Sequence, residues 1–320
     1  LAAAQRDTTA ARRPDRPLDA NDVVMMRAAR NQYVEATGTV NFGFAEDYTS
    51  AFSAGMQVNA RQFDRAEIDG IGFIANNINL VSQAATTSAG QSKSEQTSLG
   101  FFVQEQVGWK DRLFLTAALR ADDNSAFGEN FDLVYYPKFS ASWVITDEPF
   151  WNLDWVNSLR LRGAYGESGQ QPDAFAALRT FEARPDPTGN AAVTPQSAGN
   201  PDLGPEQIRT LELVLEQRLN KHSLFVVSLF NSSMKDLIDT AIDPADSLGQ
   251  FLNLSEATAN GVELEMQSRL PGGTHGFASY TFQVAKDKDF DLNLSNSPRN
   301  LFKAGISIPL VKNVFASLET

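Results

Sequence analysis

Asp287, Asp289 and Asp291 stand at alternate positions near the end of the chain. On an extended strand such residues share one face, and a row of carboxylate oxygens is the ligand type that a hard cation such as calcium takes. Asp122 with Asp123 forms a second acidic group, and Asp236, Asp239, Asp243 and Asp246 form a third. None reproduces the spacing of a calcium-binding loop, so all three read as solvated connections, with Asp287, Asp289 and Asp291 the weak metal candidates. His222 and His275 flank short turns in different hairpins. There is no His-Glu-x-x-His pair for zinc, no nucleophile elbow and no phosphate loop. Gly70-Ile71-Gly72 lacks the third glycine and the following helix of a dinucleotide site. Cysteine is absent, which removes thiol chemistry, disulfides and thiolate metal sites. The expectation is no cofactor, no resident metal and no enzymatic activity.

The elements that would carry any function must therefore be read from pattern. The chain has 320 residues and a net charge of −12, which argues against nucleic acid as a partner. It is 42% hydrophobic with 22 Phe, yet no stretch reaches the length of a membrane helix. That mixture suits a membrane β-barrel, where only alternate residues of each strand face lipid.

Period-2 alternation is found throughout. Leu113, Leu115, Ala117 and Leu119 alternate with Phe114, Thr116, Ala118 and Arg120, and Leu211, Leu213 and Leu215 alternate with Glu212, Val214 and Glu216. The same pattern predicts strands over 29–43, 48–64, 94–108, 111–123, 137–147, 157–168, 206–219, 222–234, 252–270, 276–286, 299–310 and 313–320. The connections between them alternate short and long, with 148–156 intermediate. An up-and-down outer-membrane barrel, with tight turns at one end and long loops at the other, has that asymmetry. The residues before the first strand, 1–28, read as a loop or linker with a short helix over 20–28 capped by Asp22.

The predicted fold class is thus all-β, an antiparallel up-and-down transmembrane β-barrel occupying 29–320. Arg120, Arg160, Arg162, Glu212, Glu216, Arg218, Glu263, Glu265, Arg269 and Lys303 fall opposite the apolar stripe. In a barrel that face is the lumen, where mixed charges pair across strands or meet a plug or a solute. Trp109, Trp151 and Trp155 lie at the short-turn end and Tyr135 and Tyr136 at the long-loop end, as two interfacial girdles would.

Five words of the sequence add a resemblance. Arg120-Ala121-Asp122-Asp123-Asn124-Ser125-Ala126-Phe127-Gly128 followed by Tyr136-Pro137-Lys138-Phe139-Ser140-Ala141-Ser142-Trp143 resembles a stretch of TonB-dependent outer-membrane receptors of the SusC/RagA type. Leu159-Arg160-Leu161-Arg162-Gly163-Ala164-Tyr165-Gly166-Glu167-Ser168-Gly169 is similar to a strand of that family. Asn200-Pro201-Asp202-Leu203-Gly204-Pro205-Glu206 looks like its entry into a later strand, and Gly261-Val262-Glu263-Leu264-Glu265 and Asn296-Ser297-Pro298-Arg299-Asn300 match further barrel words. The words come in the family's order.

The resemblance implies a barrel of about 22 strands, of which about 12 are legible here. It also implies an N-terminal plug that contacts TonB, and no plug or TonB-contacting segment is read. The chain stops at Glu319-Thr320 within a strand, so a middle-to-late barrel portion is expected. The implied function is active import of a large nutrient, a glycan or a peptide, across the outer membrane of a Gram-negative-type bacterium. The implied partners are outer-membrane lipids, the TonB complex through the plug, and a SusD-like lipoprotein over the loops. The alternative is a passive porin-like or stand-alone barrel of the strands seen.

Overall fold

A computed structural model describes residues 22–73, 80–130, 133–153, 156–185, 188, 190–243, 247–311 and 314–320. Fifteen strands form one sheet: β1 (Asp22–Ala45), β2 (Tyr48–Ile71), β3 (Thr86–Trp109), β4 (Leu113–Asn124), β5 (Val134–Val144), β6 (Ser158–Gln170), β7 (Thr180–Pro185), β8 (Ala191–Ser197), β9 (Glu206–Asn220), β10 (Ser223–Ile242), β11 (Gly249–Arg269), β12 (His275–Asp287), β13 (Leu292–Asn293), β14 (Asn300–Val311) and β15 (Val314–Glu319). Twelve of them follow one another as an antiparallel meander, β1-β2-β3-β4-β5-β6-β9-β10-β11-β12-β14-β15. The hairpin β7–β8 and the short β13 lie off this path.

Each of the twelve alternating segments is a strand of the meander. Three differences have physical causes. Strand β1 starts at Asp22, so residues 22–28 pair with β2 and do not form the expected helix; residues 1–21 lie outside the described residues. Strands β1, β2 and β3 each run 24 residues, well beyond the ~9–11 needed to cross a bilayer. The extensions of β2 and β3 beyond the expected strands, Arg65–Ile71 against Thr86–Ser92, carry Arg65, Glu67 and Asp69 on one side and mostly small residues on the other, so ladder hydrogen bonds hold them without a clear apolar stripe. The pair β7–β8 sits inside the expected loop 169–205.

Register fixes the two faces. Leu119 faces Val103 on β3 and Pro137 on β5, and Phe139 faces Ala117 and Tyr165. Leu213 faces Gly163 and Leu229, and Leu264 faces Val227 and Tyr280. The apolar residues of successive strands therefore form one continuous outward band, and they are exposed: Phe139, Leu213, Phe282 and Phe302 are 55%, 47%, 44% and 59% accessible. Such a surface is stable only against an apolar solvent.

At the short-turn end, Trp109-Lys110-Asp111-Arg112 closes β3 to β4. Lys110 and Asp111 have φ of 52° and 54°, and Arg112 N–H donates to the Trp109 carbonyl at 3.0 Å. That is the primed turn whose twist suits a two-residue hairpin. Trp109 pairs with Tyr48 across β2, and Trp143 with Leu113 across β4, so aromatic rings mark the foot of the band. Trp155 lies outside the described residues. At the other end, Tyr135 is outward and exposed, but Tyr136 points to the opposite face, because adjacent residues of a strand cannot share a face. Only Tyr135 can belong to an outer girdle.

Candidate functional site

The inward face is polar with a recurring aromatic device. Phe102 lies over Gly55 of the neighbouring strand, where an added Cβ would come within 2.6 Å of its ring. Phe114 lies over Gly108, Phe230 over Gly261 and Phe277 over Gly305 in the same way. Each phenyl ring thus lies flat on the sheet instead of projecting from it. This is how an apolar side chain is carried on a wet face, and it accounts for phenylalanines that interrupt the polar half of the alternation.

Among these rings runs the predicted charged set, all on one face by register. Arg162 contacts Glu216 at 2.6 Å and Arg160 reaches the same carboxylate at 3.9 Å. Arg120 pairs with Asp122 at 2.8 Å, and both lie over Gly100, whose added Cβ would be 2.3 Å from each. Glu263 accepts from Thr281 Oγ1 at 3.5 Å and Glu265 from Gln267 Nε2 at 2.5 Å. Among the described residues Glu212, Arg218, Arg269 and Lys303 have no ion pair. One cross-strand row carries Glu216, Val226, Glu265, Ser279 and Lys303 in turn, so the charges are dispersed along the wall. Near the long-loop end Tyr33 bonds Glu35, and Phe102, Arg120 and Tyr136 make a shelf of planar groups.

The long connections meet above this wall. Asn200 is buried: its backbone N–H donates to Ala177 O at 2.8 Å, its Nδ2 to Phe251 O at 2.9 Å, and its Oδ1 accepts from Asp202 N at 3.0 Å. Leu203, fully buried, packs with Ala176, Ala177, Ile238 and Phe251. Asn253 closes a reciprocal pair with Gly204, 2.9 and 3.0 Å, and donates to Asp236 O at 2.8 Å. Glu206 Oε1 accepts from Ile238 N at 3.0 Å. From the other side, Gly128 N–H donates to Leu203 O at 2.9 Å and Asn130 N–H to Pro201 O at 3.0 Å. An added Cβ on Gly128 would be 2.2 Å from that Pro201 carbonyl. The sequence words around Gly128 and around Asn200 are thus two halves of one knot. Neither carries a local signal of this, because the contact spans about seventy residues of chain.

The acidic clusters do not converge. Asp287 ends β12, and Asp289 and Asp291 lie in the turn after it, so the three do not share a strand face. Asp287 Oδ1 accepts from the backbone of Asp289 at 2.8 Å and of Phe290 at 3.1 Å, Asp289 accepts from Glu256 N at 3.1 Å, and Asp291 meets Lys286 at 2.6 Å. The Lys286 hydrogen bond holds the Asp291 carboxyl below its ordinary range. Among the described residues no group of three or more histidines and carboxylates is placed to hold a metal ion. Asp246 lies outside the described residues. His222 and His275 flank Arg269, which donates to His222 O at 2.8 Å and faces His275 across the ladder.

The family model described as TonB dependent receptor-like, beta-barrel matches residues 4–310. A TonB-dependent receptor of Formosa agariphila is 30% identical over 146 residues, 43% of this chain and 14% of the relative. A second receptor of that organism is 24% identical over 204 residues, 62% of this chain and 20% of the relative. The chain therefore spans a fifth or less of these curated relatives, which are receptors and not enzymes. Among solved structures, the RagAB peptide transporter superposes with a TM-score of 0.74 at 18% identity, over 86% of this chain and 32% of that one. The copper transporter OprC superposes with a TM-score of 0.58 at 16% identity, over 89% and 42%. Identities this low speak for the fold alone. Family members are outer-membrane proteins of Gram-negative bacteria that work with TonB. With the apolar band, the end asymmetry and the matched residues in agreement, this chain belongs to the TonB-dependent receptor-like β-barrel family.

Proposed function

We propose that this chain is barrel wall and extracellular rim of an active outer-membrane importer of a large nutrient, a glycan or a peptide. The observation that carries the reading is the packed knot of long connections standing over a polar, charge-bearing wall. A rim that is ordered before solute arrives loses little entropy on binding. Solute is caught by the connections 72–85, 125–133, 171–205, 243–248 and 288–299, and descends past Tyr33 and the shelf of Phe102, Arg120 and Tyr136. Arg120, Arg160, Arg162, Glu212, Glu216, Glu263, Glu265 and Lys303 line the lumen and meet either the plug or the passing solute. A plug supplied by the rest of the receptor engages TonB, and a SusD-like lipoprotein sits over the rim.

RagAB is a peptide transporter, and its likeness in fold supports a large cargo without choosing between the two classes. The test is uptake by cells that carry the whole receptor, with and without a functional TonB system, using fluorescent oligosaccharides and peptides in parallel. Uptake of one class that vanishes without TonB supports the reading. Uptake that persists without TonB would replace it with a passive barrel.

A further inference from the structure

One residue contradicts the outward band. The lipid-facing positions of β3 run Leu99, Phe101, Val103, Glu105, Val107 and Trp109, and Glu105 stands in the middle of an otherwise apolar series. Elsewhere the charged outward residues sit at the upper border, as Glu167 does with Arg209. A carboxylate inside the membrane is costly, and when present it marks a site with a partner. No cation reaches Glu105 among the described residues. Its one hydrogen bond comes from Ser50 Oγ at 2.5 Å.

Ser50 faces Val107, one pair nearer the foot than Glu105, so the carboxyl leans toward the Tyr48–Trp109 end. Ser50 lies two positions along β2 from Tyr48, which is about 5 Å along the membrane normal at ~3.3 Å per residue and a tilt of about 40°. The carboxylate therefore lies just inside the interfacial level, within reach of a lipid head group. Beside it the outward wall is hollow. Ala117, Ala141 and Gly163 floor a groove of ≈ 710 Å3 whose sides include Leu115, Phe139 and Leu213. At Gly163 an added Cβ would meet nothing nearer than 3.9 Å, so the hollow does not serve packing within the barrel.

We propose that Glu105, Ser50 and this groove form a site for one phospholipid with a primary ammonium head group. The ammonium donates to the Glu105 carboxylate and supplies its missing counter-charge, and one acyl chain fills the groove over Ala117, Ala141 and Gly163. The site requires only that the outward band meets lipid, and it stands or falls independently of what the receptor imports.

The experiment is native mass spectrometry of the whole receptor released from nanodiscs of equal phosphatidylethanolamine, phosphatidylcholine and phosphatidylglycerol. Phosphatidylcholine carries the same charge without an N–H donor and so isolates the contact. The expected result is an about tenfold excess of bound phosphatidylethanolamine over phosphatidylcholine, near 1.4 kcal/mol, abolished in Glu105→Gln. Glu105→Gln keeps an acceptor for Ser50 and should insert normally, as heat-dependent gel migration verifies. Gly163→Leu should lower retention of every lipid by filling the groove. Equal retention of the two lipids, or a preference that survives Glu105→Gln, overturns the proposal. So does a receptor dimer that holds no lipid and that Gly163→Leu splits, because a second copy then occupies the groove.

Discussion

The barrel wall and the knot of long connections solve opposite problems with the same residue types. In the wall Leu213 is 47% accessible, and its apolar contacts must come from lipid. In the knot Leu203 is fully buried, because that region stands in water and must exclude it by its own packing. Polar groups follow suit. Wall polar groups such as Arg162 and Glu216 stay partly exposed in ion pairs, whereas Asn200 is buried with three hydrogen bonds. The lesson is that hydrophobicity in the wall is a statement about the solvent, and in the knot a statement about neighbours.

Truncating or charging one leucine in each region should separate the two. Leu203→Ala removes buried contacts and should destabilise the knot by about 2–5 kcal/mol, read as faster hydrogen exchange over 171–205 with the barrel still inserted. Leu213→Arg should do the reverse: insertion falls by about 2–4 kcal/mol near the midplane, read from folding titrations in bilayers. A soluble, folded Leu213→Arg protein would remove the lipid-facing assignment. Gly128→Ala pushes a methyl group against the Pro201 carbonyl and should cost about 1–3 kcal/mol, seen as lost protection of 125–130 and 197–205 together. If only one of the two segments loosens, they are not one unit. Asn200→Ala leaves the Phe251 carbonyl without its donor and should cost about 1–3 kcal/mol in the same assay.

The smallest effect is expected at Asp291 and Lys286, an exposed pair outside both regions. Because Lys286 lowers the Asp291 carboxyl in the folded protein, the pair adds a small stabilisation to the turn after β12 at neutral pH. That contribution begins to fade as pH falls below the ordinary carboxylate range and is gone once Asp291 is protonated. Amide exchange of Lys288 and Phe290 should rise slightly with acid in the native chain and not in Asp291→Asn.

Much of the wall was legible because lipid on one side and a wet face on the other impose a two-residue period, as in Leu211–Glu212–Leu213. The extensions Arg65–Ile71 and Thr86–Ser92 were not, since they are mostly polar and backbone ladders hold them. The pair β7–β8 was hidden for the same reason. Tyr135 and Tyr136 shared a girdle on paper, and strand geometry separates them. Asp287, Asp289 and Asp291 shared a face on paper, and the turn after β12 disperses them. That the charged residues share one face was legible, but the phenyl rings lying over Gly55, Gly108, Gly261 and Gly305 were not, because that contact depends on register between strands.

By itself, then, the sequence determined the twelve strands of the meander, the two faces and the end asymmetry, since each follows from local period and composition, while the ordered words from Arg120 to Asn300 carried the resemblance to the family. Only the tertiary structure decided which distant segments meet: Gly128 against Pro201, Asn253 against Gly204, Ser50 against Glu105. Those contacts join residues far apart in the chain, and no local preference encodes a partner that must be brought close by register and packing.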